Sequence, residues 1–402
     1  MDTALAERAE VKDKILLAAF GMFCQRGIKS VSMDDIAQHL SMSKKTLYKW
    51  FRNKDQVIYE ALEAYLNDPV LCAPAARALT QVNSAAASKA MLQALNTSEA
   101  ECRLSLVKAL GENQFKGASD AITALANTED QKLRKVALYA LANIANPDSE
   151  DLLKDAAEKD NYSFDEDKAT VALLLYAQRL LEEGKEDQAE DLAEDLLKSA
   201  RKSNALYTRT AALRLLTEIE GEDSVEELLD AMKDDNREYR AAALKFAADF
   251  INPNTTKDWL KKARKSDPEV EAEIIAMLGE NNASSAIPQL IDKLDSRDQE
   301  VKMAAIVALG KIGDATVVPH LLEVLKKGNS QEIQAVKEAF YILDANEALP
   351  GAVAGALAGV VAEHEVLRTG VGRLAGVDDR RVPDAAIPHL VIGEGGDGAD
   401  QA

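Results

Sequence analysis

The chain has 402 residues, 48 of them basic and 68 acidic for a formal charge of -20, and it is 47% apolar but only 5% aromatic. That length sets two to four domains, and an Ala- and Leu-rich composition poor in aromatics favours helices over sheets. Cys24, Cys72 and Cys102 are scattered and lack CxxC spacing, which points away from a thiolate metal site and from a disulfide framework, and the longest apolar run, Leu349 to Ala362, is 14 residues, too short to span a bilayer.

With no charged-then-apolar leader at the start, a reducing cytoplasm is the expected setting. Residues 1–66 carry a net charge of +1, residues 346–402 carry -5 and the middle carries -16. Phosphate binding by the middle section is therefore not expected.

Residues 1–10 are polar and read as a frayed start. From Val11 to Arg26 a helix places Ile15, Leu16, Ala19, Phe20 and Phe23 on one face, with Gly27 as its C-terminal cap. Ser32 can cap a second helix, with Asp35 closing the box and Ile36, Ala37 and Leu40 as the apolar face. Ser41 and Met42 make a turn. Ser43 can cap a third helix that exposes Lys44, Lys45, Thr46, Tyr48 and Lys49 and turns Leu47, Trp50 and Phe51 inward. Asn53 caps a fourth helix, with Gln56 three residues on, that runs to about Leu66.

Two short capped helices across a tight turn, the second basic, form a helix-turn-helix for duplex DNA. From Lys44 to Lys54 there are five Lys or Arg residues and no acid. Screening over about 10 Å at ordinary salt lets that local positive face act within an acidic chain. Residues 11–64 resemble the DNA-binding domain of TetR-family transcriptional regulators through Ile15-Leu16-x-Ala18-Ala19-x-x-x-Phe23, Gly27, Ile36-Ala37, Ser43-Lys44-x-Thr46-Leu47-Tyr48-x-x-Phe51 and Asn53-Lys54. The resemblance implies that Ser43, Lys44, Lys45, Thr46, Tyr48 and Lys49 lie at the major groove. It also implies phosphate contacts by Tyr48 and Lys54, with Ser32 and Met33 at the start of the supporting helix.

In that family the fourth helix leads into a ligand-binding and dimerising domain. Here it leads, after Asn67-Asp68-Pro69, into a repeat. Leu79, Leu110, Leu141, Leu216, Ala247, Leu278, Leu309 and Phe340 are spaced by 31 residues except for the 75 between Leu141 and Leu216. A fixed period of this size is the mark of stacked helical hairpins. Leucines fill the layers, small residues allow close approach, and Gly111, Gly279 and Gly310 are expected to end helices. Residues 69–345 resemble prokaryotic HEAT-repeat proteins, which implies an α-solenoid that holds a protein partner.

The long interval contains its own helical pair, Ala169 to Glu183 and Glu186 to Lys202, broken at Gly184. Its pattern of Tyr176-Ala177, Leu180, Gly184, Ala189 and Ala193 resembles one tetratricopeptide hairpin. The acidic run from Glu182 to Asp195 reads as a solvated helix face rather than a cation site, since Ca2+ asks for oxygens converging from a loop.

From Ala348 onward there is no Lys, Asn, Ser, Phe or Tyr, and this segment holds 10 of the 20 glycines. Such a break is what a junction between sequences of different origin looks like. Val360-Val361-Ala362-Glu363-His364-Glu365-Val366-Leu367-Arg368-Thr369 resembles a short motif near the start of nonribosomal peptide synthetase condensation domains. That family's HHxxxDG motif is missing, so no activity is carried over.

No phosphate-cradling glycine loop, HExxH or GxSxG is present, and His39, His320, His364 and His389 have no ligand-spaced neighbours. No enzyme activity, cofactor, metal or membrane contact is expected. The expected fold is all-α: a three- or four-helix helix-turn-helix domain over residues 1–66, a HEAT-like α-solenoid over 67–345 with a TPR-like hairpin near 169–202, and an irregular or partly helical tail over 346–402. The expected function is that of a bacterial, cytoplasmic DNA-binding regulator with a helical-repeat body for an unidentified protein partner. The alternative is a HEAT-repeat interaction scaffold whose DNA-binding head is appended or inactive, in a composite chain.

Overall fold

A computed structural model describes residues 2–163 and 169–345, and every regular element among the described residues is a helix. The tail, with its synthetase-like stretch, lies outside the described residues. The chain divides into two units at Ala286. No helix among the described residues is long and apolar enough to cross a membrane.

The first unit begins with α1 (Asp2–Arg26), which starts at Asp2 rather than at Val11. Residues 2–9 include three alanines and end in Arg8-Ala9, so their helix propensity extends the helix through a stretch expected to fray. Ile15, Ala19, Met22 and Phe23 are buried. Gly27, at φ 78°, ends the helix and donates its N–H to the Phe23 carbonyl at 2.9 Å, a backbone state that glycine adopts without strain. Then come α2 (Met33–His39), α3 (Lys44–Trp50) and α4 (Lys54–Glu63). Ile36, Leu47, Phe51 and Val57 are fully buried between them. The Phe20 ring stacks on Tyr65 with centroids 4.3 Å apart, and Lys12 pairs with Glu60 at 2.6 Å, so α1 is clamped to α4 and its extension.

α4 also packs on α5 (Cys72–Val82) and α6 (Ala85–Thr97), which joins the head to the repeats. The array continues through α7 (Ala100–Glu112), α8 (Ser119–Ala126), α9 (Gln131–Ile144), α10 (Glu150–Lys159), α11 (Ala169–Glu182), α12 (Glu186–Lys202) and α13 (Leu206–Glu220). It then adds α14 (Val225–Ala231), α15 (Arg237–Ala247), α16 (Pro253–Ala263) and α17 (Pro268–Glu280). The repeat positions Leu79, Leu110, Leu141, Leu216, Ala247 and Leu278 sit on α5, α7, α9, α13, α15 and α17 and are fully buried. α5, α7 and α9 pack in succession, as do α13, α15 and α17, and the 75-residue interval between the two sets is filled by α10 to α12, with α11 packed on α9 and α12 on α13. Gly184, at φ 75°, separates α11 from α12 as expected from the sequence.

The second unit holds α18 (Ile287–Lys293), α19 (Gln299–Ile312), α20 (Val318–Lys327) and α21 (Ser330–Ala345). Leu309 and Phe340 are buried on α19 and α21, which pack on each other.

The repeat glycines do not end helices: Gly111, Gly279 and Gly310 lie inside α7, α17 and α19. A Cβ on Gly111 would stand 2.6 Å from Ala140 Cα, and one on Gly310 would stand 2.7 Å from Ala339 Cα. Glycine is there because neighbouring layers touch backbone to backbone. The Gly111→Ala variant gains about 1 kcal/mol of helix propensity but must push α7 and α9 apart, an overpacking cost of about 2–3 kcal/mol. A net loss of about 1–2 kcal/mol is expected in chemical denaturation; an unchanged midpoint would show that the layers slide freely.

Cys72 and Cys102 are disulfide-bonded, with Cα atoms 5.8 Å apart, a cross-link that the scattered spacing of the cysteines pointed away from; Cys24 is free and exposed. Their separation of 30 residues is one short of the repeat period and puts both cysteines on the adjacent helices α5 and α7.

Buried arginines tie other layers together. Arg240 on α15, 5% exposed as a side chain, meets Glu273 with Nε at 2.9 Å and Nη2 at 3.0 Å, and Glu269 at 2.9 Å. Its Nη1 donates to the Asp234 carbonyl at 3.0 Å. Arg209 on α13 pairs with Asp234 and lies 4.0 Å over the Tyr239 ring. In the acidic run Glu182, Glu183, Glu186, Asp187, Asp191 and Asp195 are exposed, as a solvated face requires, whereas at the end of α13 burial first, and then Glu227, Glu190, Glu194 and Asp223, push the Glu220 carboxyl up to about 7.

Candidate nucleic-acid interface

The reading face is built from local rules. At the start of α2, Ser32 Oγ accepts from the Asp35 N–H at 3.2 Å, while the Ser32 N–H donates to Asp35 Oδ2 at 2.7 Å. The Ser32 hydroxyl, which donates to Asp35 Oδ2 at 2.5 Å, and then the Ser32 N–H hold the Asp35 carboxyl below its ordinary range. The turn is closed by Ser41 at φ 53°, whose N–H reaches the Gln38 carbonyl at 3.1 Å, and by the Met42 N–H on the Ala37 carbonyl at 2.9 Å. That pair of bonds, around one left-handed residue, satisfies the last carbonyls of α2 and turns the chain sharply into α3. Ser43 Oγ accepts from the Thr46 N–H at 3.0 Å and lies 2.7 Å from Thr46 Oγ1, which starts α3. At α4, Asn53 Oδ1 accepts from the Gln56 N–H at 2.9 Å, and Gln56 Oε1 accepts from the Arg52 N–H at 2.8 Å.

On this frame Leu47 and Phe51 anchor α3 in the core, and Ser43, Lys44, Lys45, Tyr48 and Lys49 are exposed. Thr46 and Lys54 are half-buried. The structure thus brings together on one side most of the residues that the sequence singled out. Two differ in detail. Met33 is buried, 7% exposed, because its side chain belongs to the core beneath α2, and Ser32 remains exposed but has its N–H and hydroxyl engaged by Asp35.

One pairing was not foreseen: Lys44 Nζ lies 2.6 Å from Asp34 Oδ1 and 2.9 Å from Oδ2, and this contact raises the Lys44 ammonium above its ordinary range. Among the described residues Lys45 and Lys49 have no such ion pair. The angle between α2 and α3 creates the Asp34 contact, and no spacing rule encodes that angle.

Fold and site together define an all-α protein with a helix-turn-helix head and a body of stacked helical hairpins. Residues 15–61 match the family described as bacterial regulatory proteins, tetR family, and residues 88–174 and 256–340 match HEAT repeats. An uncharacterized HTH-type transcriptional regulator, YdeS of Bacillus subtilis (strain 168), is 37% identical over 54 residues, covering 13% of this chain and 27% of that protein. The chain thus spans about a quarter of the length of this curated relative. A structure of human deoxyhypusine hydroxylase in complex with glycerol aligns with 72% of this chain and 97% of its own at 15% identity, with a TM-score of 0.28, too low to argue from.

Proposed function

We propose that the chain is a DNA-binding regulator whose head reads duplex DNA through α3, and whose repeats hold a protein partner in the cytoplasm. The observation that carries this reading is the acid-free run from Lys44 to Lys54 mounted on a capped helix over buried Leu47 and Phe51. Ser43, Lys45, Thr46 and Lys49 are the candidates for base edges, Tyr48 and Lys54 for phosphates, and Lys44 for either; Ser32 and Met33 support α2 from below. Phosphate contacts set the register, and only a few side chains of a recognition helix reach bases.

A single module reads one half-site. Here α4 packs on repeat helices instead of leading into the dimerising domain that the resemblance implies. Binding by one chain should therefore be weak and strongly salt-dependent. On a random duplex, where no base edges are matched, Lys45, Lys49 and Lys54 meet phosphate while Lys44 is held by Asp34, and affinity should fall about 40-fold between 50 and 200 mM salt. Changing Lys45, Lys49 and Lys54 together to alanine should leave less than about a twofold dependence. Fluorescence anisotropy over a salt series checks both values. Absence of binding by the parent at 50 mM salt would favour the scaffold reading, which the length of the repeat body already supports.

A further inference from the structure

Asp34 and Lys44 stand at the first turns of α2 and α3, where their side chains remain 64% and 56% exposed while in contact with each other. Lys45 and Lys49, on the same helix as Lys44, have no carboxylate against them among the described residues. Asp35 is different: its carboxylate is turned back onto Ser32 as a cap. Asp34 is thus a solvent-facing acid that holds one lysine of the reading face.

We propose that Asp34 is a built-in brake on DNA binding, a carboxylate that competes with the DNA phosphate for the Lys44 ammonium. This inference rests on the DNA-reading role given above. The carboxylate occupies the cation at 2.6 Å in the free protein, so a phosphate must displace it before Lys44 can release a counterion from the duplex. It also places a negative charge on the side that meets the polyanion. The effect acts on charge and not on base edges, so it lowers affinity for all sequences alike. A weak non-specific background leaves discrimination to Lys45, Lys49 and the capping hydroxyls.

The test is the Asp34→Asn variant of the full chain, which keeps size and shape at an exposed position, with Asp34→Ser as a second variant. Anisotropy is measured against random duplex fragments from 50 to 200 mM salt. The neutral variants should bind about fivefold more tightly at 50 mM, and the slope of log affinity against log salt should steepen by about 0.9 as Lys44 gains a phosphate. In a Lys44→Gln background the Asp34→Asn change should leave the slope unaltered. Equal slopes for parent and Asp34→Asn, or weaker binding by the variant, would overturn the brake and make the pair an orienting contact instead. Absence of binding by both proteins would overturn the DNA-reading role itself, and the brake with it; binding by the variant alone would support the brake.

Discussion

Replacing Arg240 by alanine should destabilise the first unit by about 3 kcal/mol, the lower end of what breaking a buried ion pair costs, because Glu269 is itself more than half exposed. The guanidinium meets Glu273 through both Nε and the terminal Nη2, and a further N–H satisfies the Asp234 carbonyl. Alanine leaves Glu273, 14% exposed, without its two-point partner, and it leaves two loop carbonyls without a donor. Lysine at the same place supplies one point charge in place of a planar fork, so Arg240→Lys should recover less than half of the loss. In a thermal melt followed by far-UV circular dichroism the alanine variant should unfold roughly 6–12 °C lower. A shift under about 2 °C would mean that the pairs are as solvated as surface ones and that layer contacts alone hold α15 to α17.

Arg240 also shows where the sequence is legible and where it is not. The caps at Ser32, Ser43 and Asn53 could be read directly, because a cap is decided within four residues by chain geometry alone. The buried layer positions were equally open, since a 31-residue period repeats the same packing demand at every turn of the array. The arginines carry a weaker signal of the same kind: Arg103, Arg134, Arg209 and Arg240 each stand seven residues before a repeat position, but burial of a charge is visible only once its partners are in place. Gly111 and Gly310 were misread because a glycine at the end of a leucine-rich helix serves a turn or a close approach equally well. The contact with Ala140 or Ala339, in the next layer, decides between the two.

Reducing the Cys72–Cys102 disulfide should be the most damaging change that leaves the sequence intact. In the chain-entropy account, a cross-link closing a loop of about 30 residues restricts the unfolded chain by about 3.5 kcal/mol, and the bonded pair here is 30 residues apart. Both sulfurs are in buried residues, and they link α5 to α7 beside the helices on which α4 rests. The lost constraint should therefore be felt at the junction of head and repeats rather than throughout the array. Hydrogen exchange should quicken in α5 to α7 on treatment with a phosphine reductant, and the first unfolding transition should fall by roughly 7–14 °C, while Cys72→Ala with Cys102→Ala should reproduce the reduced state. Free thiol counts before and after treatment establish which form is present, with Cys24 as the internal standard of one exposed thiol. Identical melts for oxidised and reduced protein would mean that the close packing of α5 on α7 already restricts the chain and that the bond adds nothing. A reducing compartment holds such a pair as thiols, so the reduced melting point is the one that governs the cytoplasmic regulator proposed here. If it lies below growth temperature, the repeats cannot serve as a stable platform for the head there, and an oxidising location is required.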